Sequence, residues 1–463
     1  MRILLIVPDN GSYISTFPLG IAYIASTLRN RGDEVTIYNK DVYHYSEEHL
    51  TDYLNENDFD IVGTGTCGGY YQYREMKNIA KAVRASEKRQ VFIVGGHLVT
   101  PEPEYFMNLL DADFIVMGEG EKTMEELCSV MENKGVYSEV KGIAYRDVDG
   151  GVCVNPRREL IKNIDDIPFP AWDLFPMEHY SLMRMPNISS NERCMVMYSG
   201  RGCIFKCNFC YRMDTGFRPR SADSVIEEMK YLRDHYGIRY IAFFDELLIS
   251  SVKRATEFCE KLIEADLGMK WDCNGRLNFA KPELLNLMKK AGCVFINYGI
   301  ESMDEEALKR MNKNLTTKQI VEGIENTLAA GISPGYNIIF GNLGETKESL
   351  KLGVDFLLKY DDHAQLRTIR PVTPYPGCPL YYHAIENGLM KDVEDFYENK
   401  HVNSDLLAVN FTDMTDDEFY DALCEANEKL LNNYYDTLKR KAIAVEHDLY
   451  RNRNKNFRGF RQT

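Results

Sequence analysis

The sequence predicts an α/β protein: an N-terminal doubly wound parallel sheet of the flavodoxin or Rossmann-like type, a partial (β/α)6 barrel, and a helical C-terminal tail. Three observations carry this reading. Up to about residue 132, five short β-branched runs alternate with amphipathic helical stretches, the pattern of strands and crossover helices in a parallel sheet. A segment holding Pro168, Pro170 and Pro176 then interrupts the alternation, because closely spaced prolines fit neither a helix nor a central strand. From about Met195 the alternation restarts with six strand and helix units, a number that suits a barrel or an open partial barrel.

Strands are expected at 3–7, 35–38, 61–65, 91–94 and 114–117, with helices starting near Gly20, Glu47, Tyr73, Glu102 and Thr123. Glycines collect where these strands end: Gly63, Gly65, Gly68 and Gly69, then Gly95 and Gly96 before His97, then Gly118-Glu119-Gly120-Glu121. Ligands of doubly wound sheets bind at the carboxyl ends of the strands, where glycine admits close approach. Residues 139–154 read as a hairpin around Asp149-Gly150-Gly151. Barrel strands are expected at 195–199, 240–244, 270–274, 294–298, 336–340 and 366–370, separated by helices at 222–235, 252–265, 282–291, 317–329 and 347–358. Residues 415–445 read as mostly helical. The expected divisions are 1–138, 139–190 (hairpin and proline-rich linker), 191–390 (barrel) and 391–463 (tail).

At 463 residues, the chain is long enough for two or three domains, and 44% hydrophobic with 11% aromatic residues excludes a disordered chain. Lys and Arg number 55 against 70 Asp and Glu, and the resulting charge of -15 repels a phosphate backbone, so nucleic acid is an unlikely partner. The basic C-terminal run, Lys439, Arg440, Lys441, Arg451, Arg453, Lys455, Arg458 and Arg461 against Glu446 and Asp448, is read as a solvated tail. No apolar run is long enough for a transmembrane segment, and the opening MRILLIVPDN is too short in apolar residues for a signal peptide. A cytoplasmic location is expected, in which the twelve cysteines stay reduced.

Three of those cysteines cluster. Cys203, Cys207 and Cys210 fall within Ser199-Gly200-Arg201-Gly202-Cys203-Ile204-Phe205-Lys206-Cys207-Asn208-Phe209-Cys210-Tyr211, just after the first barrel strand. Soft thiolates select zinc or an iron-sulfur cluster. Structural zinc needs a fourth ligand nearby, and the nearest candidate, Cys194, lies nine residues upstream in or before a strand. Three thiolates on a four-iron cluster leave one iron open for a substrate or cofactor.

A C-x-x-x-C-x-x-C with an aromatic before the last Cys, on the first loop of a strand-helix barrel, resembles the radical S-adenosylmethionine (SAM) enzymes. The resemblance implies a 4Fe-4S cluster on the three cysteines, SAM bound through its amino and carboxylate groups at the open iron, and one-electron cleavage to a 5′-deoxyadenosyl radical. It also implies an external one-electron reductant of flavodoxin or ferredoxin type. For SAM it points to Phe209, to Asp245 or Glu246 in Phe243-Phe244-Asp245-Glu246, to Arg276 and to Glu301. The segment Thr373-Pro374-Tyr375-Pro376-Gly377-Cys378-Pro379-Leu380 matches a recurrent turn and is read as a rigid loop at the barrel mouth.

Pro18-Leu19-Gly20, Gly95-Gly96-His97-Leu98-Val99-Thr100-Pro101 and Gly118-Glu119-Gly120-Glu121, with the proline linker, are similar to the cobalamin-binding domain of class B radical SAM enzymes. By that resemblance Pro18, Gly20, Gly65, Tyr70, Tyr71, Gly95, Gly96, His97, Gly118, Glu119 and Gly120 are expected to bind cobalamin. A D-x-H-x-x-G motif is absent, so cobalamin is expected with its base detached and without a protein nitrogen on cobalt. His97 is read as packing its loop or touching corrin side chains in preference to an axial position, and Tyr70 or Tyr71 as shielding the lower cobalt face.

The implied activity is methylation of an unactivated carbon of a small-molecule substrate. Ring closure or rearrangement, as in anaerobic porphyrin cyclases of the class, is the runner-up. A tRNA methylthiotransferase is disfavoured: its second cluster needs three N-terminal cysteines, whereas Cys153 of the set Cys67, Cys128 and Cys153 falls in the hairpin, and the tail reads as helical rather than as an RNA-binding barrel. The intact cysteine triad argues against a non-catalytic cobalamin-binding regulator.

Overall fold

The computed structural model describes residues 1–12, 15–213 and 215–456; Arg458 and Arg461 of the basic run lie outside them. The N-terminal sheet holds β1 (Arg2–Val7), β2 (Glu34–Asn39), β3 (Ile61–Gly65), β4 (Val91–Gly95), β5 (Phe114–Val116), β6 (Ile143–Arg146) and β7 (Val152–Val154). Their order is β2-β1-β3-β4-β5-β6-β7. The first five are parallel, with Ile3 opposite Val35 on one side and Ile61 on the other. Helices cover both faces, which is why Ile3, Leu4, Leu5, Ile6 and Val7 are all buried and the strand reads as a continuous apolar run instead of an alternating one. The expected hairpin is present, and it extends this sheet: β6 pairs antiparallel with β5, and β7 with β6.

The order of the parallel strands reverses between β1 and β3, the place where doubly wound sheets open a crevice at their carboxyl ends. Two loops there are pressed together. Gly96 has φ +95°, and a Cβ on it would lie 2.4 Å from the Thr66 carbonyl oxygen, so only glycine fits.

The proline-rich segment is a packed belt. Ile164, Ile167, Trp172, Phe175, Met177 and Tyr180 are buried in the same core as the barrel strands, together with Phe17, Leu19 and Tyr23 from the start of the first helix, Leu19–Arg31. Phe17 is the hub, its ring centroid 4.5 Å from Trp172, 4.8 Å from Phe175 and 5.3 Å from Tyr180. Proline fixes the backbone, and the aromatics between the prolines supply the buried area that fastens one sheet system to the other.

The second sheet is built from β8 (Arg193–Met197), then, after the short ribbon β9 (Gly200–Arg201) and β10 (Arg218–Pro219), from β11 (Ile238–Phe243), β12 (Lys270–Gly275), β13 (Cys293–Glu301), β14 (Ser333–Phe340) and β15 (Arg370–Pro371). Its spatial order, β15-β14-β13-β12-β11-β8, is the chain order, with every pair parallel. Both edges stay open, so the sheet is a six-stranded half-barrel with all carboxyl ends at one mouth. The helices between strands start at side-chain caps: Ser221, Ser251, Thr316 and Thr346 each accept an N–H of the first turn.

The sixth strand is shorter and later than the sequence suggests. Buried Arg367 pairs with Asp361 at 2.5 Å and Asp362 at 2.6 Å and donates to the Pro334 carbonyl at 2.9 Å, which holds the chain before it in a loop. The long helix of the tail, Asp416–Arg451, is started by a Thr415–Glu418 capping box. Phe419, Leu423, Ala426 and Leu430 form its buried stripe, and Phe419 stacks on Phe340 at 4.9 Å.

Trp172 is 1% exposed and wedged against Phe17. Trp172→Ala is expected to destabilise the protein by about 3–5 kcal/mol and Trp172→Phe by clearly less, read from chemical denaturation curves; equal loss in both would show that the ring volume is not what matters.

Candidate functional site

The cysteine loop leaves the mouth end of β8, and amide contacts to the barrel loops hold it. The Asn208 and Asn342 side chains exchange hydrogen bonds at 3.0 Å, the Asn208 N–H donates to the Met311 carbonyl at 2.9 Å, and the Leu380 N–H donates to the Asn208 carbonyl at 2.9 Å. Asn312 donates to the Lys206 carbonyl at 2.7 Å. Buried Glu345 in turn accepts the backbone N–H groups of Gly341 and Asn342, each at 3.0 Å. The predicted turn 373–380 packs onto the same loop: Gly377, at φ +92°, leaves no room for a Cβ beside the Tyr211 ring. Its role is structural, as its prolines suggest.

Cys207 is buried and Cys203 and Cys210 are half-buried. Burial pushes the Cys203 thiol up, and Cys207 adds to it. Burial likewise pushes Cys210 up to about 12, with Cys207 and Cys203 adding to it. The three thiols are thus within electrostatic reach of one another. Among the described residues no three His, Cys, Asp or Glu side chains converge as ligands of a single ion would; thiolates on separate irons of a cubane need not. Of the other nine cysteines, six are buried in the core.

The predicted SAM residues surround this loop but differ in how free they are. Arg276 is 5% exposed, lies 3.6 Å above the Phe205 ring and reaches the Cys207 sulfur, yet its Nε and one Nη have no hydrogen-bond partner. Burial pulls its guanidinium below the usual value. Glu246 is exposed at the mouth and accepts the Gly202 N–H at 3.2 Å. Its neighbour Asp245 points inward, fully buried, and accepts the Ser199 N–H at 2.6 Å and the Ser199 hydroxyl. Burial raises the Asp245 carboxyl to about 6 despite those bonds. Glu301, at φ +69°, is closed off by a buried ion pair with Lys313 at 2.8 Å, and Lys313 lies 5.8 Å from the centre of the Phe209 ring.

The N-terminal loops face the cysteine loop. The His97 ring stands edge-on to Tyr211 at 5.9 Å, and burial lowers its pKa, with Glu246 opposing the shift. Cys67 is likewise within electrostatic reach of Glu246. Tyr71 is 71% exposed, Tyr70 is half-buried beneath Arg74, and Gly20 opens the helix that Pro18 caps, with open space where its Cβ would be. Gly65 touches Gly95 across β3 and β4. Gly118, at φ +77°, would place a Cβ 3.0 Å from Arg157, and Gly120 one 2.8 Å from Ile24. Glu119 is turned away from these glycines, toward Arg201 at 3.0 Å and Arg218 at 2.9 Å.

Sequence reasoning missed several supports. Arg254 donates to the Ser199 carbonyl at 2.6 Å and hydroxyl at 2.9 Å, fixing the start of the loop. Asn297 donates to Asn274 at 3.1 Å, and Asn274 to the Asp245 carbonyl at 2.7 Å, an amide ladder across three strand ends. Only Asn208, inside the cysteine motif, carried a signal that could have been read.

The half-barrel thus carries three cysteines on its first loop and faces a second parallel sheet through glycine loops. A family model described as "Radical SAM superfamily" matches residues 197–357, and one described as "B12 binding domain" matches residues 13–128. The chain is 32% identical over 403 residues to the uncharacterized methyltransferase PH0819 of Pyrococcus horikoshii, covering 84% of each chain. It is 29% identical over 411 residues to the anaerobic magnesium-protoporphyrin IX monomethyl ester cyclase of Rubrivivax gelatinosus, covering 86% of this chain and 72% of that one. The radical SAM methyltransferase TsrM of Kitasatospora setae, solved with cobalamin and a [4Fe-4S] cluster, superposes with a TM-score of 0.73 at 16% identity, over 92% and 88% of the two chains. The chain belongs to the cobalamin-dependent radical SAM enzymes, whose cofactors are a 4Fe-4S cluster, SAM and cobalamin. For the cluster and SAM the residue types present are suitable: three cysteines on one short loop, a buried arginine beside Cys207 with two N–H groups that have no partner, and an exposed carboxylate at the mouth. No helix among the described residues is long and apolar enough to cross a membrane.

Two predictions follow from this geometry. Each of Cys203→Ala, Cys207→Ala and Cys210→Ala is expected to abolish 5′-deoxyadenosine formation and the iron-sulfur absorbance of the reconstituted protein, whereas Cys128→Ala keeps both; full activity in Cys207→Ala would remove it from the ligand set. Separately, Asp272 on β12 is buried, has one carboxylate oxygen without a partner, and is raised by burial to about 7. The unfolded carboxyl ionises near pH 4, so the native state is penalised progressively as pH rises from about 4 to about 7 and fully above it. Asp272→Asn, which mimics the protonated form, is expected to gain a few kcal/mol over wild type at pH 8 and to match it near pH 4; a pH-independent difference in unfolding free energy would contradict the shift.

Proposed function

We propose that this enzyme replaces a C–H bond of a small organic molecule by C–CH3 at an unactivated carbon. The observation that carries the reading is that the two halves face each other through these loops: the cysteine loop with Tyr211 and Glu246 on one side, and on the other the loop bearing His97, whose ring meets Tyr211 at 5.9 Å. Methyl transfer needs a radical source and a methyl donor addressing one substrate carbon, and two facing cofactor loops provide that arrangement. The P. horikoshii relative, a methyltransferase by name, supports the same reading.

When bound, the cluster, SAM and cobalamin supply a 5′-deoxyadenosyl radical and a transferable methyl group. The chain's own residues bind and orient. Cys203, Cys207 and Cys210 hold the cluster. Arg276, with its unpaired N–H groups, takes the SAM carboxylate, and Glu246 its ammonium. Asp245, Glu301 and Phe209 support that site from behind: Asp245 fixes Ser199 at the loop's start, and the Glu301–Lys313 pair backs Phe209. Pro18, Gly20, Gly65, Gly95, Gly96, Gly118 and Gly120 would hold cobalamin, with Tyr70 or Tyr71 shielding it from solvent and His97 lining the side toward the cysteine loop. The electrons come from a flavodoxin or ferredoxin type donor.

The net reaction consumes substrate R–H, two SAM and two electrons and yields R–CH3, S-adenosylhomocysteine, 5′-deoxyadenosine and methionine. S-adenosylhomocysteine and 5′-deoxyadenosine are therefore expected in a one-to-one ratio per product, with label from methyl-deuterated SAM in the product. The cyclase of R. gelatinosus at 29% identity favours a second reading, ring closure. That chemistry has no use for the methyl group, so unlabelled product with little S-adenosylhomocysteine would select it and reject methyl transfer.

A further inference from the structure

Four charges are removed from water at the seam between the two sheets. Arg201 and Arg218 stand opposite each other on the ribbon β9–β10. Arg201 donates to Glu119 at 3.0 Å and to Glu121 at 2.5 Å, and Arg218 donates to both oxygens of Glu119 at 2.9 Å. The side chains of Glu119 and Glu121 are 8% and 7% exposed, those of Arg201 and Arg218 19% and 16%. Burial works to raise the Glu121 carboxyl, and the Arg201 guanidinium more than offsets it, leaving the group below its usual range. The belt is caught in the same knot: the Ile161 N–H donates to Glu119 at 2.9 Å, and its carbonyl accepts from Arg218 at 2.8 Å. Arg201 also stacks over Tyr23 of the first helix at 5.2 Å.

The knot is one link in a continuous line. Leu98 N–H donates to the Thr66 carbonyl at 3.3 Å, joining the loops after β3 and β4. The Thr100 hydroxyl donates to the Gly96 carbonyl at 2.7 Å and accepts the Gly118 N–H at 3.2 Å, joining the loops after β4 and β5. Glu119 is the next residue, its carboxylate grips the ribbon, and two residues beyond Arg201 the Cys203 backbone bridges Thr215 to close the ribbon. Every contact is a hydrogen bond, an ion pair or a backbone bridge, and the carriers are short loops with little freedom to absorb a displacement.

We infer that Glu119, Glu121, Arg201 and Arg218 form a clamp that couples the loops expected around cobalamin to the loop that carries Cys203. They are positioning residues. Glu119 acts through Arg201 and Arg218, and its place beside Gly118 and Gly120 makes it the point at which occupancy of the N-terminal loops is transmitted to the ribbon. Removing one partner of such a buried pair strands its opposite charge, which explains why two carboxylates meet two guanidiniums with no net charge left over. Coupling of this kind is reciprocal, so ordering either loop orders the other. The inference rests on the cobalamin reading for the identity of the ligand, and its test separates the two.

The experiment measures amide hydrogen exchange of residues 199–213 and 215–219 in the full chain, purified anaerobically with its cluster reconstituted, with and without hydroxocobalamin, in wild type and Glu119→Gln. In wild type, hydroxocobalamin is expected to slow exchange there by about tenfold. Glu119→Gln, read at saturating hydroxocobalamin so that a change of affinity does not enter, should lose most of that slowing. Wild-type slowing retained in the variant overturns the clamp. So does an affinity loss beyond about tenfold with an unchanged ribbon in the free protein, which would make Glu119 a corrin contact. Should wild type not bind hydroxocobalamin, the cobalamin reading falls and the free proteins decide: faster ribbon exchange in Glu119→Gln supports the clamp and equal exchange rejects it. If Glu119→Gln does not fold, Arg201→Lys, which keeps the charge and loses the fork, is read by the same criteria.

Discussion

Arg201 carries its charge into a seam where water is scarce, and the arrangement of the molecule around it follows from the need to keep that charge paired. It is two residues before the first cysteine, so the ribbon that holds it also sets where the cysteine loop begins. Its partners Glu119 and Glu121 come from the sheet on the other side, at the end of a strand, with a glycine on either side of Glu119. An ion pair of this kind gains little over apolar packing in bare stability, because desolvation offsets the attraction. What it contributes is directional. A planar guanidinium whose two terminal nitrogens reach two different carboxylates tolerates few geometries, whereas the aromatic belt around Phe17 supplies area without fixing an angle. The belt holds the halves together; the charges fix their alignment.

The mouth of the half-barrel follows from the parallel sheet. With every strand running the same way, six carboxyl ends collect on one rim, and each ends in polar groups that need partners once buried. Asp245 and Glu246 divide the work as adjacent residues at a strand exit do, one turned in and one out. The inward carboxylate is consumed by Ser199, and the outward one is left open at the mouth. Glu301 and Glu345 are also consumed, by Lys313 and by the backbone of residues 341 and 342. The rim is thus mostly a frame of satisfied carboxylates and amides that holds the cysteine loop at fixed points.

The parallel strands and the cysteine loop were legible because their signals are local. A β-branched run bounded by glycine, or three cysteines in eight residues, needs no knowledge of distant chain. The short sixth strand was overestimated because Arg367 binds Asp361 and Asp362 and keeps the preceding segment irregular, a tertiary contact that overrides an apolar pattern. The hairpin was recognised, but nothing in residues 139–154 names β5 as its neighbour. Within the site, the equivalence of Asp245 and Glu246 in charge hid their opposite orientations. Glu119 sits in a glycine motif that reads as a ligand-binding loop, while its side chain answers to arginines some 80 to 100 residues away in sequence. Long-range pairing of charges is the part of a structure that one sequence shows least.

Among the buried arginines, Arg276 stands apart. Arg220 pairs with Glu228, Ser224 and the Tyr198 carbonyl, and Arg367 with two aspartates and two carbonyls, which leaves only its Nε without a partner. Arg276 has an aromatic ring beneath it and a sulfur beside it, but two of its donor nitrogens face nothing that accepts. A buried donor without a partner costs about 1–3 kcal/mol, and more when charged, and folding alone gives no reason to retain it at a position where leucine would pack. The cost is recovered when an anion enters, because the guanidinium is already desolvated and already oriented. The unsatisfied arginine therefore carries more information than the satisfied ones. Two unpaired donors beside Cys207, at the mouth of the half-barrel, are what the proposed carboxylate of SAM would satisfy.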